Sequence, residues 1–308
     1  MAVHDPGAAA YQKSITEPIP LNPALAARRM REVKAIFDRL GVVFWLGSGT
    51  CLGAIREGGF IPWDDETDTA SVIGLHGLTE RRFDEVVREF ESAGFYAHVG
   101  KNPRQNGMSI VRDGLRTDWT VHHIVHGYAW EFPGVKLPLD LFRNLQTIEF
   151  VGEEFRIPSP PEEYLALKYG PLWRTPKGPG FEDDVVNNVR DGAMLTMTGK
   201  LARLLFKHIM PSRATWIHVF DRQGVPVPRA RIKVAGADYS DTNSSGYARL
   251  YIPGKAYYAV VVTFGEHREV LYEEVLIPGG RYEYRPGPIV TVEEHYKAGV
   301  RAMALTEK

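Results

Sequence analysis

The sequence predicts an α+β protein in which a mixed sheet with flanking helices is followed by a small antiparallel β-sandwich. Up to about residue 212, helical patterns alternate with short apolar runs such as VVFWL at 42–46. Beyond that point, six short runs of alternating apolar and polar residues lie between turn signals within 215–285. The predicted parts are a flexible arm at 1–20, a first domain at 21–212, a β-sandwich at 213–288 and a C-terminal helix or tail at 289–308.

The composition is that of a soluble globular protein with room for two domains. The chain has 308 residues, of which 44% are hydrophobic and 24% are charged. With a net charge of −1, the protein has no overall positive charge that would attract nucleic acid, so we expect no nucleic-acid partner. Cys51 is the single cysteine, which excludes an intrachain disulfide and a cysteine-rich zinc site.

The beginning of the sequence does not resemble a signal peptide, because no charged segment precedes an apolar core. No run approaches the ~20 apolar residues that a membrane span needs. We therefore expect a cytoplasmic protein, with at most peripheral contact at the inner face of the membrane.

Local signals place several elements of the first domain. Asn22 is a helix cap, and Gly41 ends the helix that follows it. Thr79 caps a second helix, which ends before Gly94. The segment 147–157 has the pattern of a β-hairpin.

The stretch that carries chemistry begins with a glycine turn after the buried strand at 42–46. The turn consists of Gly47, Ser48 and Gly49. Such a turn lets backbone N–H groups approach an anion closely, as phosphate binding requires. The hydroxyls of Ser48 and Thr50 add donors, so we predict that these four residues contact the substrate.

Four acidic residues then lie within five positions of the sequence: Asp64, Asp65, Glu66 and Asp68. In an extended segment, alternate residues share a face, so Asp64, Glu66 and Asp68 are expected to converge while Asp65 points elsewhere. Converging carboxylates raise each other's pKa and are stable as anions only around a cation. Hard oxygen ligands select Mg²⁺ or Mn²⁺. We predict Asp64, Glu66 and Asp68 to be both metal ligands and catalytic residues.

The alternative interpretation is a solvated acidic turn beside a glycine-rich loop. The glycine turn, Arg56 and the apolar lead-in FIPW favour the metal site. The segment GSGTCLGAIREGGFIPWDDETD also resembles the signature of the LicD and fukutin-related proteins. A second segment, PSPPEEYLALKYGPLWRTP at 158–176, resembles a later element of the same family, so that the likeness covers roughly 22–180.

This resemblance implies a nucleotidyltransferase-like fold with a divalent metal. It further implies transfer of a phospho-alcohol, such as phosphocholine or ribitol phosphate, from a CDP-activated donor to a glycan or glycolipid, with release of CMP. The sequence departs from the family pattern at Glu66, where aspartate is usual, at Thr67 and Thr69, which replace apolar residues, and at Glu57, where a basic residue is common. Two alternatives therefore stay open: transfer of a nucleoside monophosphate from an NTP, and a catalytically idle scaffold.

Asp118, in the predicted strand RTDWTV, is the further catalytic candidate. It can act as a third metal carboxylate or as a base near the acceptor hydroxyl, and the alternative is a surface aspartate. His122, His123 and His126 follow closely. A zinc site is conceivable there, but satisfied polar residues are the favoured interpretation.

Four residues complete the predicted substrate site. Arg56 and Lys168 are expected to balance donor phosphates, although Lys168 fits a solvated helix position equally well. Tyr169 and Trp173 are expected to stack on a base or on the acceptor, and packing is the equal alternative.

The segment 198–213 is amphipathic and has no acidic residue. Leu201, Leu204, Leu205 and Ile209 can share a face. This pattern permits contact with an anionic membrane surface, while a helix packed between two domains is the favoured alternative. The later phrase VFDRQGVPVPRARIKV resembles carboxypeptidase-regulatory or transthyretin-like sandwiches, which suggests an accessory role in holding the acceptor or a partner enzyme.

Overall fold

A computed structural model describes residues 5–101, 104–177, 182–208, 214–287, 300–301 and 305–307. The chain divides into two compact units. The first comprises Met1–Glu131 and Lys136–Arg174, and the second comprises Phe132–Val135 and Thr175–Lys308. The structure thus places the division at Arg174, whereas the sequence predicts it near residue 212.

Six helices lie in the described part of the first unit. They are α1 (Pro6–Thr16), α2 (Pro23–Leu40), α3 (Ser48–Arg56), α4 (Glu80–Ser92), α5 (Asp140–Arg143) and α6 (Pro161–Tyr169). The predicted caps of α2 and α4 are confirmed. The Asn22 side chain accepts a hydrogen bond from the Leu25 N–H at 3.0 Å, and Thr79 accepts one from the Arg82 N–H.

The prediction of a flexible arm at 1–20 is wrong for Pro6–Thr16, which form α1. Asp5 caps this helix by accepting a hydrogen bond from the Gly7 N–H at 2.8 Å. The Tyr11 ring stacks on the His98 ring with centroids 4.3 Å apart. The helix is therefore capped from its own sequence and packed against the strand that carries His98.

A five-stranded mixed sheet lies at the centre of the first unit. Its strands are β1 (Trp45–Leu46), β2 (Glu66–Val72), β3 (Tyr96–Lys101), β4 (Gln105–Arg112) and β5 (Leu115–His122). Their order is β1-β2-β5-β4-β3, in which β2 and β5 are parallel and the other neighbours are antiparallel. Trp119 of β5 lies in an aromatic core, with its ring centroid 5.0 Å from that of Phe37 and 5.2 Å from that of Phe83.

Two smaller sheets complete this part of the chain. Their strands are β6 (Ile124–Val125), β7 (Tyr128–Glu131) and β8 (Val135–Pro138) in one, and β9 (Gln146–Phe150) and β10 (Glu153–Ile157) in the other. The strands β9 and β10 form the hairpin predicted at 147–157.

The second unit contains α7 (Glu182–Asn188) and α8 (Met197–His208), followed by two sheets. The segment between these helices is tied to this unit, because the Met194 N–H donates to the Gly236 carbonyl at 2.7 Å. Lys233 also forms an ion pair with Asp191 at 3.4 Å. These contacts explain why the division of the chain precedes both helices.

The two sheets of the second unit share one hydrophobic cluster, which includes Ile217 and Val260. The first sheet, in the order β14-β11-β17-β19, contains β14 (Tyr247–Leu250), β11 (Thr215–Val219), β17 (Arg281–Tyr284) and β19 (Thr306–Glu307). The second, in the order β13-β12-β15-β16-β18, contains β13 (Asp238–Asp241), β12 (Arg231–Val234), β15 (Ala256–Phe264), β16 (His267–Leu276) and β18 (Val300–Arg301).

The α+β class is confirmed by these helices and sheets, but two details of the prediction need correction. The sandwich was expected to be antiparallel, whereas β11 pairs in parallel with β17, and β16 with β18. The tail was expected to be helical, whereas Val300–Arg301 pair as a strand with Val270 and Leu271. Residues 289–299, 302–304 and 308 of the predicted tail lie outside the described residues. The nucleotidyltransferase-like arrangement and the transthyretin-like resemblance stay predictions.

Candidate active site

Three carboxylates converge on the parallel strand pair β2–β5. Glu66 and Asp68 are alternate residues of β2, so their side chains share a face. Asp118 lies opposite Asp68 in the register of β5. One oxygen of each of these three carboxylates lies within 4.8 Å of the other two, the one such group of acidic, histidine or cysteine side chains within the described residues. The geometry favours Asp118 as a third metal carboxylate over a surface aspartate.

Asp64 lies beside this group without belonging to it. The strand begins at Glu66, and the Asp64 N–H closes a turn onto the Ile61 carbonyl at 3.1 Å, so the alternation of β2 does not extend to Asp64. A Cβ atom on Gly49 would lie 2.7 Å from Asp64 Oδ2 and 3.3 Å from Asp68 Oδ2. The carboxylates that converge are therefore those of Glu66, Asp68 and Asp118, whereas Asp64 approaches Asp68 from the neighbouring turn.

Arg116 is the internal counter-ion of this acidic cluster, and our sequence analysis did not identify it. Its guanidinium forms ion pairs with Glu66, with Asp118 Oδ2 at 3.1 Å and with Asp65 Oδ2 at 3.4 Å. The sequence carried a signal for it, because Arg116 and Asp118 are alternate residues of one strand and must share a face. Asp65 was expected to point away from the cluster, and its contact with Arg116 corrects that expectation.

Burial dominates the electrostatics of the cluster. It raises the pKa of Glu66 and of Asp64 well above the usual range, although Arg116 opposes this for both residues. Burial also raises the pKa of Asp68 to about 7, with Lys168 opposing the rise and Asp118 adding to it. For Arg116, burial alone would lower the pKa, but the carboxylates of Glu66 and Asp118 raise it overall.

These residues fit a hard divalent cation. Carboxylate oxygens are the ligands that Mg²⁺ and Mn²⁺ prefer, and a bound cation would favour the ionised carboxylates and so oppose the effect of burial on their pKa values. Asp118 Oδ1 is buried and has no hydrogen-bond partner among the residues that the structure describes. An unpaired buried carboxylate oxygen is costly unless an ion or water satisfies it, so this atom is available as a ligand.

The glycine turn is the start of helix α3 rather than an open phosphate loop. Gly47 is the N-cap residue, and Ser48 adopts a φ of 35°, which is a strained backbone conformation for a residue other than glycine. The Ser48 N–H donates to the Tyr164 hydroxyl at 2.9 Å, and the Gly49 N–H donates to Asp68 Oδ2 at 3.0 Å. These two N–H groups are engaged within the protein, and that of Gly49 orients Asp68, which opposes the expected role of the turn in phosphate binding.

Thr50 also holds Asp68 in place. Its hydroxyl oxygen accepts a hydrogen bond from the Asp68 N–H at 2.7 Å, and the side chain is completely enclosed at 1% exposure. The Gly47 N–H donates to the Asp68 carbonyl at 3.1 Å. Thr50 was predicted to contact substrate; its burial makes it a positioning residue that ties α3 to β2.

A buried polar network stands behind Ser48. Lys168 forms an ion pair with Glu131 and donates to Ser48 Oγ, which in turn donates to Glu131 Oε1 at 2.9 Å. The Tyr164 hydroxyl donates to Glu131 Oε2 at 3.2 Å. The side chains of Lys168 and Glu131 are only 8% and 6% exposed. Lys168 is therefore neither a solvated helix residue nor a free cation for phosphates.

Glu131 was missed as part of the site, and no local pattern points to it. Tyr164 was expected to be one of the rings that wall a substrate pocket, whereas its hydroxyl contacts the Ser48 N–H and the Glu131 carboxylate. The pKa of Glu131 would be raised by burial, but Lys168 holds it below the usual range, so that the pair is ionic. Through Ser48, this pair fixes the first turn of α3 and thereby the N–H group that Gly49 directs at Asp68.

The remaining predicted substrate residues are engaged in packing. Arg56 forms an ion pair with Glu57 at 2.6 Å and donates to the Trp173 carbonyl at 3.1 Å. Tyr169 and Trp173 are 7% and 6% exposed. For the two aromatic residues the structure thus favours packing, and Arg56 joins α3 to the segment that contains Trp173.

The histidines do not form a metal site within the part of the chain that the structure describes. His122 is buried, and its Nδ1 lies 2.9 Å from the Trp130 carbonyl oxygen. Burial lowers its pKa. His123 Nε2 lies 3.1 Å from a Glu80 carboxylate oxygen, and His126 occupies a turn with a φ of 54°. The interpretation as a satisfied polar residue holds for His122. His123 Nε2 is close to Glu80 but makes no hydrogen bond within the described residues.

Comparison with known proteins identifies the region that contains this cluster. Residues 41–160 match the family described as LicD/FKTN/FKRP, nucleotidyltransferase domain. The matched segment includes α3, β2 and β5, and hence Glu66, Asp68, Arg116 and Asp118.

Individual relatives share this part of the chain at low identity. Ribitol 5-phosphate transferase FKRP of Mus musculus is 25% identical over 170 residues, which are 48% of this chain and 33% of the relative. Ribitol-5-phosphate transferase FKTN of Homo sapiens is 26% identical over 186 residues, or 55% and 35%. Lipopolysaccharide cholinephosphotransferase LicD of Haemophilus influenzae is 42% identical over 52 residues, or 17% and 18%. The chain spans about a third of the length of the first two, and all three names describe transfer of a phosphorylated alcohol.

Proposed function

We propose that this protein is a divalent-metal-dependent transferase that moves a phospho-alcohol from a CDP-activated donor to a glycan or glycolipid hydroxyl and releases CMP. The observation that carries the proposal is the group of Glu66, Asp68 and Asp118, whose oxygens approach within 4.8 Å. The family match over 41–160 and the names of the relatives support phospho-alcohol transfer as the reaction class.

The acidic cluster is the proposed site for Mg²⁺ or Mn²⁺, held by Glu66, Asp68 and Asp118. When bound, such an ion supplies charge neutralisation for the donor diphosphate and for the phosphoryl group in transit. Asp64 lies next to Asp68, and a bound cation would favour its ionised form, so that its carboxylate would add negative charge at the site. Asp118 Oδ1 is proposed as a ligand atom because it makes no hydrogen bond within the described part of the chain.

The surrounding residues keep the carboxylates in place before the ion and the donor arrive. Arg116 forms ion pairs with Glu66 and Asp118. Its positive charge offsets the repulsion between the carboxylates, so that they stay close together without the ion. Gly49 and Thr50 fix Asp68 through its carboxylate and its backbone N–H. Such support is what holds metal ligands at productive distances.

We propose that the donor phosphates bind the ion at the solvent-accessible side of the carboxylates, where the Glu66 and Asp118 side chains are 24% and 22% exposed. We do not place them at the glycine turn. The N–H groups of Ser48 and Gly49 already bind Tyr164 and Asp68. For the alcohol, we place a polyol such as ribitol ahead of choline. A quaternary ammonium group calls for an aromatic cage, and the candidate rings of Tyr164, Tyr169 and Trp173 are enclosed at 1%, 7% and 6% exposure.

The decisive experiment identifies the leaving group. The protein is incubated with Mg²⁺ or Mn²⁺, a panel of CDP-alcohols and NTPs, and a mixture of glycans and glycolipids, and products are detected by mass spectrometry. CMP release that depends on metal and acceptor is the expected result. Pyrophosphate release from an NTP would instead identify a nucleotidyltransferase. Inactivity with every donor would favour the idle scaffold if, in addition, the Asp118→Asn variant binds the metal as tightly as the wild type does.

A further inference from the structure

Helix α8 presents an apolar stripe to solvent. Met197, Leu201, Leu204 and Leu205 are 81%, 59%, 57% and 45% exposed. With 3.6 residues per turn, these four positions fall on one face of the helix. The sequence left open whether this helix packs between two domains or meets a membrane.

The opposite side of α8 is attached to its own unit. Arg203 lies 3.8 Å from Asp238, whose carboxylate is buried. At the start of the helix, the Gly199 N–H donates to the Thr196 hydroxyl at 3.0 Å, and the Lys200 N–H donates to the Thr196 carbonyl at 2.9 Å. The helix is thus capped and anchored in an orientation that turns its leucines outward.

The charge of the helix indicates what covers this stripe. Its sequence, MTGKLARLLFKH, contains Lys200, Arg203 and Lys207 and no aspartate or glutamate. Lys200 and Lys207 are seven residues apart, which places both positions at the same edge of the apolar stripe. A protein partner could match the leucines alone, but an apolar stripe bordered by cations matches an anionic bilayer, whose head groups attract lysine while its acyl region accepts leucine.

We infer that α8 docks this protein on anionic lipid membranes, with Met197, Leu201, Leu204 and Leu205 entering the head-group region. The contact is peripheral. Within the described segments, no helix combines the length and apolarity that crossing a bilayer requires. This inference goes beyond the proposed transferase activity and does not depend on it, because lipid binding needs neither donor nor acceptor.

The test is co-sedimentation of the full chain with two kinds of vesicle, one of phosphatidylcholine and one of phosphatidylcholine mixed with phosphatidylglycerol. We expect binding to the mixed vesicles that is at least about tenfold stronger than to neutral ones and that weakens with salt. Leu201→Glu is expected to weaken binding to the mixed vesicles at least about tenfold, because a carboxylate would replace an apolar side chain that inserts among anionic lipids. Lys200→Gln is expected to weaken it about fivefold.

The matched control is Val225→Glu. Val225 lies in a loop of the same unit and is 55% exposed, so this variant introduces the same charge at a similar exposure away from α8. Equal binding of wild type and Leu201→Glu, or no binding to anionic vesicles, would overturn the inference. A wild-type dimer that Leu201→Glu converts to monomer, in the absence of vesicle binding, would show that a second copy of the chain covers the stripe.

Discussion

Asp68 and Asp118 face each other across the parallel strands β2 and β5, at the same level of the sheet. The two residues come from distant parts of the sequence, yet each has a fixed backbone. Asp68 is held by Thr50 and Gly49, and Asp118 is held in the sheet between β2 and β4. A rigid pair of facing carboxylates is a geometry that a cation can bridge without reorganisation. The first predictions test this relationship.

The acidic cluster should be required for turnover. We expect Asp68→Asn and Asp118→Asn each to lower kcat about 1000-fold or more, since loss of metal removes stabilisation of phosphoryl charge. Asp65→Ala should retain most of the activity, because Asp65 contacts Arg116 at 3.4 Å and is not among the three converging carboxylates. Asp140→Asn, at a 93% exposed side chain, is the control. An equal loss at Asp65 and Asp68 would contradict the assignment.

Arg116 should stabilise the metal-free protein more than the metal-bound protein. Arg116→Gln leaves Glu66 and Asp118 without their counter-ion, and loss of one partner of an enclosed ion pair costs roughly 3 kcal/mol. We expect a lower Tm in EDTA and a partial recovery in Mg²⁺, measured by thermal unfolding. Arg143→Gln, an exposed arginine paired with Asp140, should change neither value. A Tm loss that Mg²⁺ does not reduce would show that Arg116 serves only packing.

Sequence reasoning located the elements whose signals are local. The caps Asn22 and Thr79 and the alternation of Glu66 with Asp68 depend on neighbouring residues, and the structure shows all of them. Asp118 could be proposed from its strand because an acidic residue between polar and aromatic neighbours is itself a local feature.

The parts that sequence reasoning missed depend on distant contacts. Glu131 contacts Lys168 and Ser48 only in the folded chain. The residues next to Glu131 in the sequence form no pattern that predicts these contacts. The same holds for the glycine turn. Its composition is right for binding phosphate, but Tyr164 and Asp68 occupy its first N–H groups. Tertiary partners, which no local pattern encodes, thus engage groups whose composition alone suggested a role in phosphate binding.

Gly49 should be required for the approach of two carboxylates. Alanine would favour a helix by up to about 1 kcal/mol, so Gly49→Ala should not weaken α3 itself. Its Cβ would lie 2.7 Å from Asp64 Oδ2 and must displace that carboxylate. We expect Mn²⁺ affinity, measured by calorimetry, to fall about tenfold or more. Gly59→Ala, where a Cβ meets nothing within 4 Å, is the control, and equal affinities of the two variants would refute the steric argument.

The stabilisation by Mg²⁺ should grow with pH. The pKa of Asp68 is 3.8 in the unfolded reference and about 7 in the folded protein. The folded state therefore binds more protons between these values, and the metal-free protein loses stability as pH rises through that window. Mg²⁺ binds the deprotonated carboxylates, so the increase in Tm over EDTA should be larger at about pH 8 than at about pH 5.5. An identical increase at both pH values would mean that these carboxylates do not bind the ion.

The buried pair of Lys168 and Glu131 should act through Ser48 rather than through the donor. Replacing one partner leaves the other as an uncompensated charge, so Lys168→Met and Glu131→Gln should each cost about 3–5 kcal/mol in the free energy of unfolding. The double variant should lose less than the sum of the two, because no lone charge remains. Denaturant unfolding of the four proteins measures this coupling.

If Lys168 instead contacted donor phosphates, Lys168→Met would raise the donor KM. The free energy of unfolding would then be unchanged, and the coupling energy between Lys168 and Glu131 would be near zero. The ion pair at 8% and 6% exposure leads us to expect the opposite: a large coupling in stability, with kcat reduced as Ser48 loses its fixed position beside Gly49 and Asp68.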